Sequence, residues 1–86
     1  MNYKHKYLKE TNKHNGGIQK VYQFPNGYGA SVIQHKGSYG YEKGLWELAV
    51  LDIDGSLCYN TKITDDVIGR LNDPEVDNIL GQIREL

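Results

Sequence analysis

The chain has 86 residues, a formal net charge of −1, 38% hydrophobic and 24% charged residues, and a single cysteine. That length accommodates one domain with a modest core, and the composition is too apolar for intrinsic disorder and too polar for a membrane protein. The longest uninterrupted apolar run, Leu48–Leu51, falls far short of the roughly 20 residues that a membrane-spanning helix needs.

Residues 1–16 place Lys4, Lys6, Lys9 and Lys13 among His, Asn and Tyr without hydrophobic periodicity, and read as a flexible basic arm or a weak helical extension. No apolar segment follows the charged start, so no signal peptide is expected. Residues 17–86 are expected to form a single α+β domain. Its first element is a β-hairpin over 18–35, turning at Phe24-Pro25-Asn26-Gly27-Tyr28. A three-residue Pro-Asn-Gly loop pairs Tyr22 with Ala30 and Lys20 with Val32. That register gathers Ile18, Tyr22, Phe24, Tyr28, Ala30 and Val32 on one face and leaves Gln19, Val21, Gln23, Ser31 and Ile33 opposite. A two-residue loop would mix the faces, so the three-residue loop with a left-handed glycine is preferred.

Residues 36–44 carry three glycines with Tyr39 and Tyr41, and read as a long, permissive loop. A second hairpin follows, with strand Leu45–Leu51, a turn at Asp52-Ile53-Asp54-Gly55-Ser56 and strand Leu57–Lys62. Two consecutive hairpins imply a four-stranded antiparallel sheet. Thr64 is expected to cap a short helix through Asp65, Asp66 and Leu71, and Asp73 to cap another, with Pro74 in its first position. Val76, Ile79, Leu80 and Ile83 then form one apolar stripe at helical spacing. The expected architecture is that sheet, covered on one face by one or two C-terminal helices.

Little chemistry can be read from the motifs. Asp52-Ile53-Asp54-Gly55-Ser56 after an apolar strand resembles the first motif of haloacid-dehalogenase-type phosphatases, which would make Asp52 a nucleophile and Asp54 an acid. The turn chemistry of Asp and Gly explains the same residues, and the remaining chain is too short for that parallel fold, so Asp52 and Asp54 are read as turn residues. A calcium loop would need glycine sixth and glutamate twelfth, where this chain has glycine fourth and Ile63 twelfth. Cys58 and His5, His14 and His35 show neither metal-ligand spacing nor a nucleophile–base pairing. No enzyme activity, cofactor or metal is expected. The lone cysteine fits a reducing, cytoplasmic setting.

The charge is unevenly divided, +5 over residues 1–36 and −6 over residues 37–86. The basic arm and the tyrosines suit a single-stranded nucleic acid, while a Tyr/Gly loop equally suits a protein partner. Asp65, Asp66, Asp73, Glu75 and Asp77 are a second surface, read first as capped and solvated helix acids. The strings Phe24–Val32, Gly44–Leu51 and Ile63–Gly69 together resemble a family of small uncharacterised bacteriophage proteins, over about residues 21–86. That resemblance implies an accessory protein at work in the cytoplasm of a bacterial host. The expected function is stoichiometric binding to a host or phage protein, with inhibition of a host defence system included, through Tyr39, Tyr41, Lys43 and Trp46. The alternative is nucleic-acid binding through Lys4, Lys6, Lys9 and Lys13. No membrane partner is expected, and self-association is left open.

Overall fold

The computed structural model describes residues 7–14, 16–35, 41–58 and 67–86. Among these residues, five strands follow one another: β1 (Leu8–His14), β2 (Gly17–Gln23), β3 (Gly29–Gln34), β4 (Trp46–Leu51) and β5 (Ile68–Leu71). They form one antiparallel sheet in chain order, and helix α1 (Asp73–Arg84) lies across it over β3 and β4. The α+β class is as expected, with five strands rather than four and one C-terminal helix.

The first hairpin has the register that the apolar pattern selects. Phe24 N–H donates to Tyr28 O at 2.9 Å, Gly27 N–H donates to Phe24 O at 3.1 Å, and Gly27 takes φ +91°. Only glycine adopts that conformation without steric cost. Tyr22 pairs with Ala30 and Lys20 with Val32. Tyr22, Phe24, Ala30 and Val32 are buried beneath α1 with Leu48, Val50 and Leu71, while Ile18 at the end of the same face stays 38% exposed. Gln19 and Ser31 point the other way and share a 3.0 Å hydrogen bond.

The extra edge strand corrects the reading of the N-terminal arm. Leu8–His14 pairs with β2 through a bulge at Lys9, and Tyr7 O accepts from Gln23 N–H at 3.0 Å. The ordered domain therefore begins well before Ile18. Edge strands tolerate lysine on exposed positions, which discourages further strand pairing, so the charged composition hides a strand.

The second correction lies at the other edge. Ile68–Leu71 is a strand, with Leu71 opposite Trp46 and Ile68 opposite Leu48, where a short helix was expected. Arg70 takes φ 58°, which no helix accommodates. The proposed cap at Thr64, with Asp65 and Asp66, lies outside the described residues. After the turn at Asp52–Ser56 the chain returns beside β4, with a Leu51–Leu57 bridge and Cys58 N–H donating to Val50 O at 2.8 Å. The rest of the expected strand to Lys62 lies outside the described residues.

Helix α1 starts one residue earlier than the proline suggests. Asn72, not Asp73, is the N-cap. Its Oδ1 accepts from Glu75 N–H at 2.9 Å, and Glu75 Oε1 accepts from Asn72 N–H at 2.9 Å. This reciprocal capping box needs Glu three residues after the cap, and only Asn72 satisfies that spacing. Val76, Leu80 and Ile83 are buried against the sheet as their spacing requires, with Ile79 packed at the margin. Among the described residues, no helix is long and apolar enough to cross a membrane.

Candidate functional site

The strand registers line up one row of side chains on the helix-bearing face. Lys13 is opposite Ile18, Ile18 is opposite Gln34, and Trp46 is opposite Leu71. Helix α1 begins just after Leu71 and runs away from this row, so among the described residues α1 does not cover the β1–β2 side of the row. A shallow depression of about 470 Å³ lies there, lined by Lys13, Gly16, Gly17, Ile18 and Gln34.

Trp46, on β4 of the same face, is held in place from two elements. Its Nε1–H donates to Asp73 Oδ1 at 2.8 Å, and Lys20 Nζ sits 5.0 Å from the centre of its ring. The ring is half-buried and packs on the margin of the core. A cation over an indole face is favourable, and the Asp73 contact fixes the ring's rotation. Just before β4, Tyr41–Lys43 form a 3₁₀ turn that ends in Gly44 at φ +71°. Gln34 Nε2–H donates to Gly44 O at 2.6 Å, which ties this turn to β3.

Lys43 is exposed on this turn, three residues before Trp46 in the chain. Tyr41 opens the same turn. Tyr39, Lys4 and Lys6 lie outside the described residues. Lys9 and Lys13 are exposed on β1, and Lys13 belongs to the row just described. Sequence reasoning missed Lys20 and Asp73 as partners of Trp46. The alternation of 18, 20, 22 and 24 on one face carried the signal for Lys20, whereas Asp73 reaches Trp46 only through the path of α1.

The acidic surface is partly engaged. Asp73 accepts from Trp46, Glu75 closes the capping box, and Asp77 is half-buried. Beneath it, Tyr22 Oη and Asp77 Oδ1 are buried, and neither meets a hydrogen-bond partner among the described residues. Burial pushes the Tyr22 hydroxyl up to about 12, with the Asp77 and Asp73 carboxylates adding to the effect.

Asp52 is occupied within its own turn. Its Oδ1 accepts from Asp54 N–H at 2.9 Å and Ser56 N–H at 3.0 Å, and its N–H donates to Ser56 O at 2.8 Å. Gly55 closes the turn at φ +81°, and Ile53 and Asp54 are exposed at its tip. Cys58 packs at the core margin. Among the described residues, no three His, Cys, Asp or Glu side chains come together as a metal site. No protein-family model matches the chain, and neither the curated proteins nor the solved structures contain a significant match.

Proposed function

We propose that the chain is a non-enzymatic binding protein that docks stoichiometrically onto a host or phage protein in the cytoplasm of a bacterial host, inhibition of a host defence system included. The docking surface is the open end of the helix-bearing face: Trp46, Ile18, Lys20 and Lys43, with Tyr39 and Tyr41 of the adjoining loop. The observation that carries this reading is the Trp46 ring, held by Asp73 and Lys20 on the same sheet face as the exposed Ile18 and its open depression. An aromatic whose rotation is already restrained loses little entropy on binding, and such residues anchor protein interfaces. The likeness of the sequence strings to small bacteriophage proteins supplies the setting.

The second reading, nucleic-acid binding, draws on Lys9 and Lys13, exposed on β1 next to the same surface. Asp73 at the indole edge and Lys20 over its face weigh against it, since a carboxylate repels phosphate and a base would have to displace the lysine.

Affinity capture from bacterial lysate, with and without nuclease, tests both readings when wild type is compared with folded Ile18→Ser and Lys43→Glu variants. One protein retained after nuclease treatment and lost from both variants supports the docking surface. Recovery of nucleic acid alone favours the second reading, and a partner indifferent to both substitutions refutes the surface assignment.

A further inference from the structure

The turn between β2 and β3 contains Asn26-Gly27, the dipeptide in which an asparagine amide is most open to attack by the following backbone nitrogen, because glycine has no side chain to obstruct it. Asn26 is exposed, yet its side chain is fully engaged. Nδ2 donates to Ile83 O at 2.8 Å and Arg84 O at 2.9 Å, with Leu86 O at 3.5 Å, and Oδ1 accepts from Tyr28 N–H at 3.0 Å. These carbonyls belong to the last turn of α1 and the residues after it, where Ile83 O also accepts from Leu86 N–H at 3.1 Å.

We propose that Asn26 is a deamidation site that the fold protects, and that its modification unlatches the C-terminal end of α1. In the reaction the Gly27 nitrogen, its proton taken by base, attacks Asn26 Cγ. The new C–N bond closes a succinimide, the Cγ–Nδ2 bond breaks, and ammonia leaves with the proton. Water then opens the ring to aspartate or isoaspartate, with no change of oxidation state.

The folded turn opposes every part of this step. Gly27 N–H donates to Phe24 O at 3.1 Å, which holds the proton that the attacking nitrogen must lose. The leaving nitrogen is anchored to α1, and Oδ1 is held by Tyr28. A solvent-open depression of about 340 Å³, lined by Pro25, Asn26, Arg84 and Glu85, borders the seam, so base and water reach the site once the turn relaxes. The product cannot restore the contact. A carboxylate in place of the amide presents oxygen to the Ile83 and Arg84 carbonyls at the negative end of the helix dipole. Modification thus removes the donors and adds repulsion, which makes the released state the more open one.

The test incubates the full chain in mildly alkaline buffer, folded in one arm and in denaturant in the other, and follows Asn26 by peptide mapping. Asn15-Gly16 is the same dipeptide and serves as the reference for chemistry in the denaturant arm. Asn26 should convert at least about tenfold more slowly in the folded arm, the effect of roughly 1.4 kcal/mol of local opening, and should match Asn15 in denaturant. In a chain carrying Asn15→Gln, the species that peptide mapping shows to be modified at Asn26, separated by its added negative charge, should exchange its amide hydrogens faster at Ile83–Leu86 and melt at a lower temperature. Equal rates at Asn26 in the two arms overturn the protection. A modified species with native exchange and melting overturns the latch, and because that species starts from folded protein the result does not depend on whether Asn26→Asp folds when expressed.

Discussion

Asn26 Nδ2 lies 2.8 Å from the Ile83 carbonyl oxygen, so a side chain on a hairpin turn caps a helix end 57 residues away in sequence. The same end is gripped from a second side. Arg84 Nε–H donates to Tyr7 Oη at 2.9 Å, and the Tyr7 ring meets Phe24 edge-on at 5.2 Å. Strand β1, the first turn and the end of α1 are thereby closed into one unit.

Asn26→Ala should destabilise the protein by about 1–2 kcal/mol, the range for losing hydrogen bonds to backbone carbonyls. Asn26→Asp should cost more than alanine, because the carboxylate adds repulsion. Urea unfolding of the three proteins ranks them. A ranking with Asp above Ala would contradict the cap.

Leu80 is fully buried at the centre of the α1 stripe. Leu80→Ala should cost about 2–5 kcal/mol, as large-to-small core substitutions do. Thermal melts followed by circular dichroism should show the midpoint falling by roughly 4–8 °C for each kcal/mol lost in a domain of this size.

Tyr22 makes its prediction through pH. The hydroxyl is pushed from 10.0 to about 12 in the folded protein, so the folded state holds its proton longer than the unfolded chain does. Its stabilising share is complete below pH 10 and is lost as pH rises towards 12, on the order of 1–3 kcal/mol across that window. Tyr22→Phe removes a buried hydroxyl that meets no partner among the described residues and should be near neutral at pH 7. Denaturation at several pH values should show the variant gaining on wild type between pH 10 and 12. Parallel curves would place the alkaline loss on other groups.

Asp52→Asn keeps an acceptor at the turn and should change stability by no more than about 0.5 kcal/mol, whereas Asp52→Ala should cost about 1–2 kcal/mol. Neither should alter partner binding. Magnesium-dependent phosphatase activity that vanishes in Asp52→Asn would refute the turn-residue reading and the non-enzymatic proposal.

Lys43 is exposed on the 3₁₀ turn. Lys43→Glu should move stability by less than about 0.5 kcal/mol. If the surface around Trp46 is the contact, the same change should weaken partner binding by about 1 kcal/mol or more, measured by calorimetry with the captured partner. Tyr39→Ala and Tyr41→Ala should act in the same direction.

Short-range chemistry made part of this structure legible from the chain alone. Gly27 and Gly55 mark turns because their backbone conformation favours glycine, and the alternation around Tyr22 and Ala30 selects one register because a slip would bring Ser31 and His35 to the core face. The stripe of Val76, Leu80 and Ile83 declares a helix by its period. Tertiary structure decided the rest. Leu8–His14 shows its strand only when β2 supplies the pairing groups, since an edge strand needs no apolar face. Val67, Ile68 and Leu71 carry a helical spacing, and the free edge of β4 overrides it, because four residues are too few for local propensity to outweigh a sheet ladder. Asn26, Lys20 and Asp73 each read as ordinary turn or surface residues. Their roles at the helix end and at Trp46 follow from where α1 crosses the sheet, a consequence of core burial that no local pattern encodes.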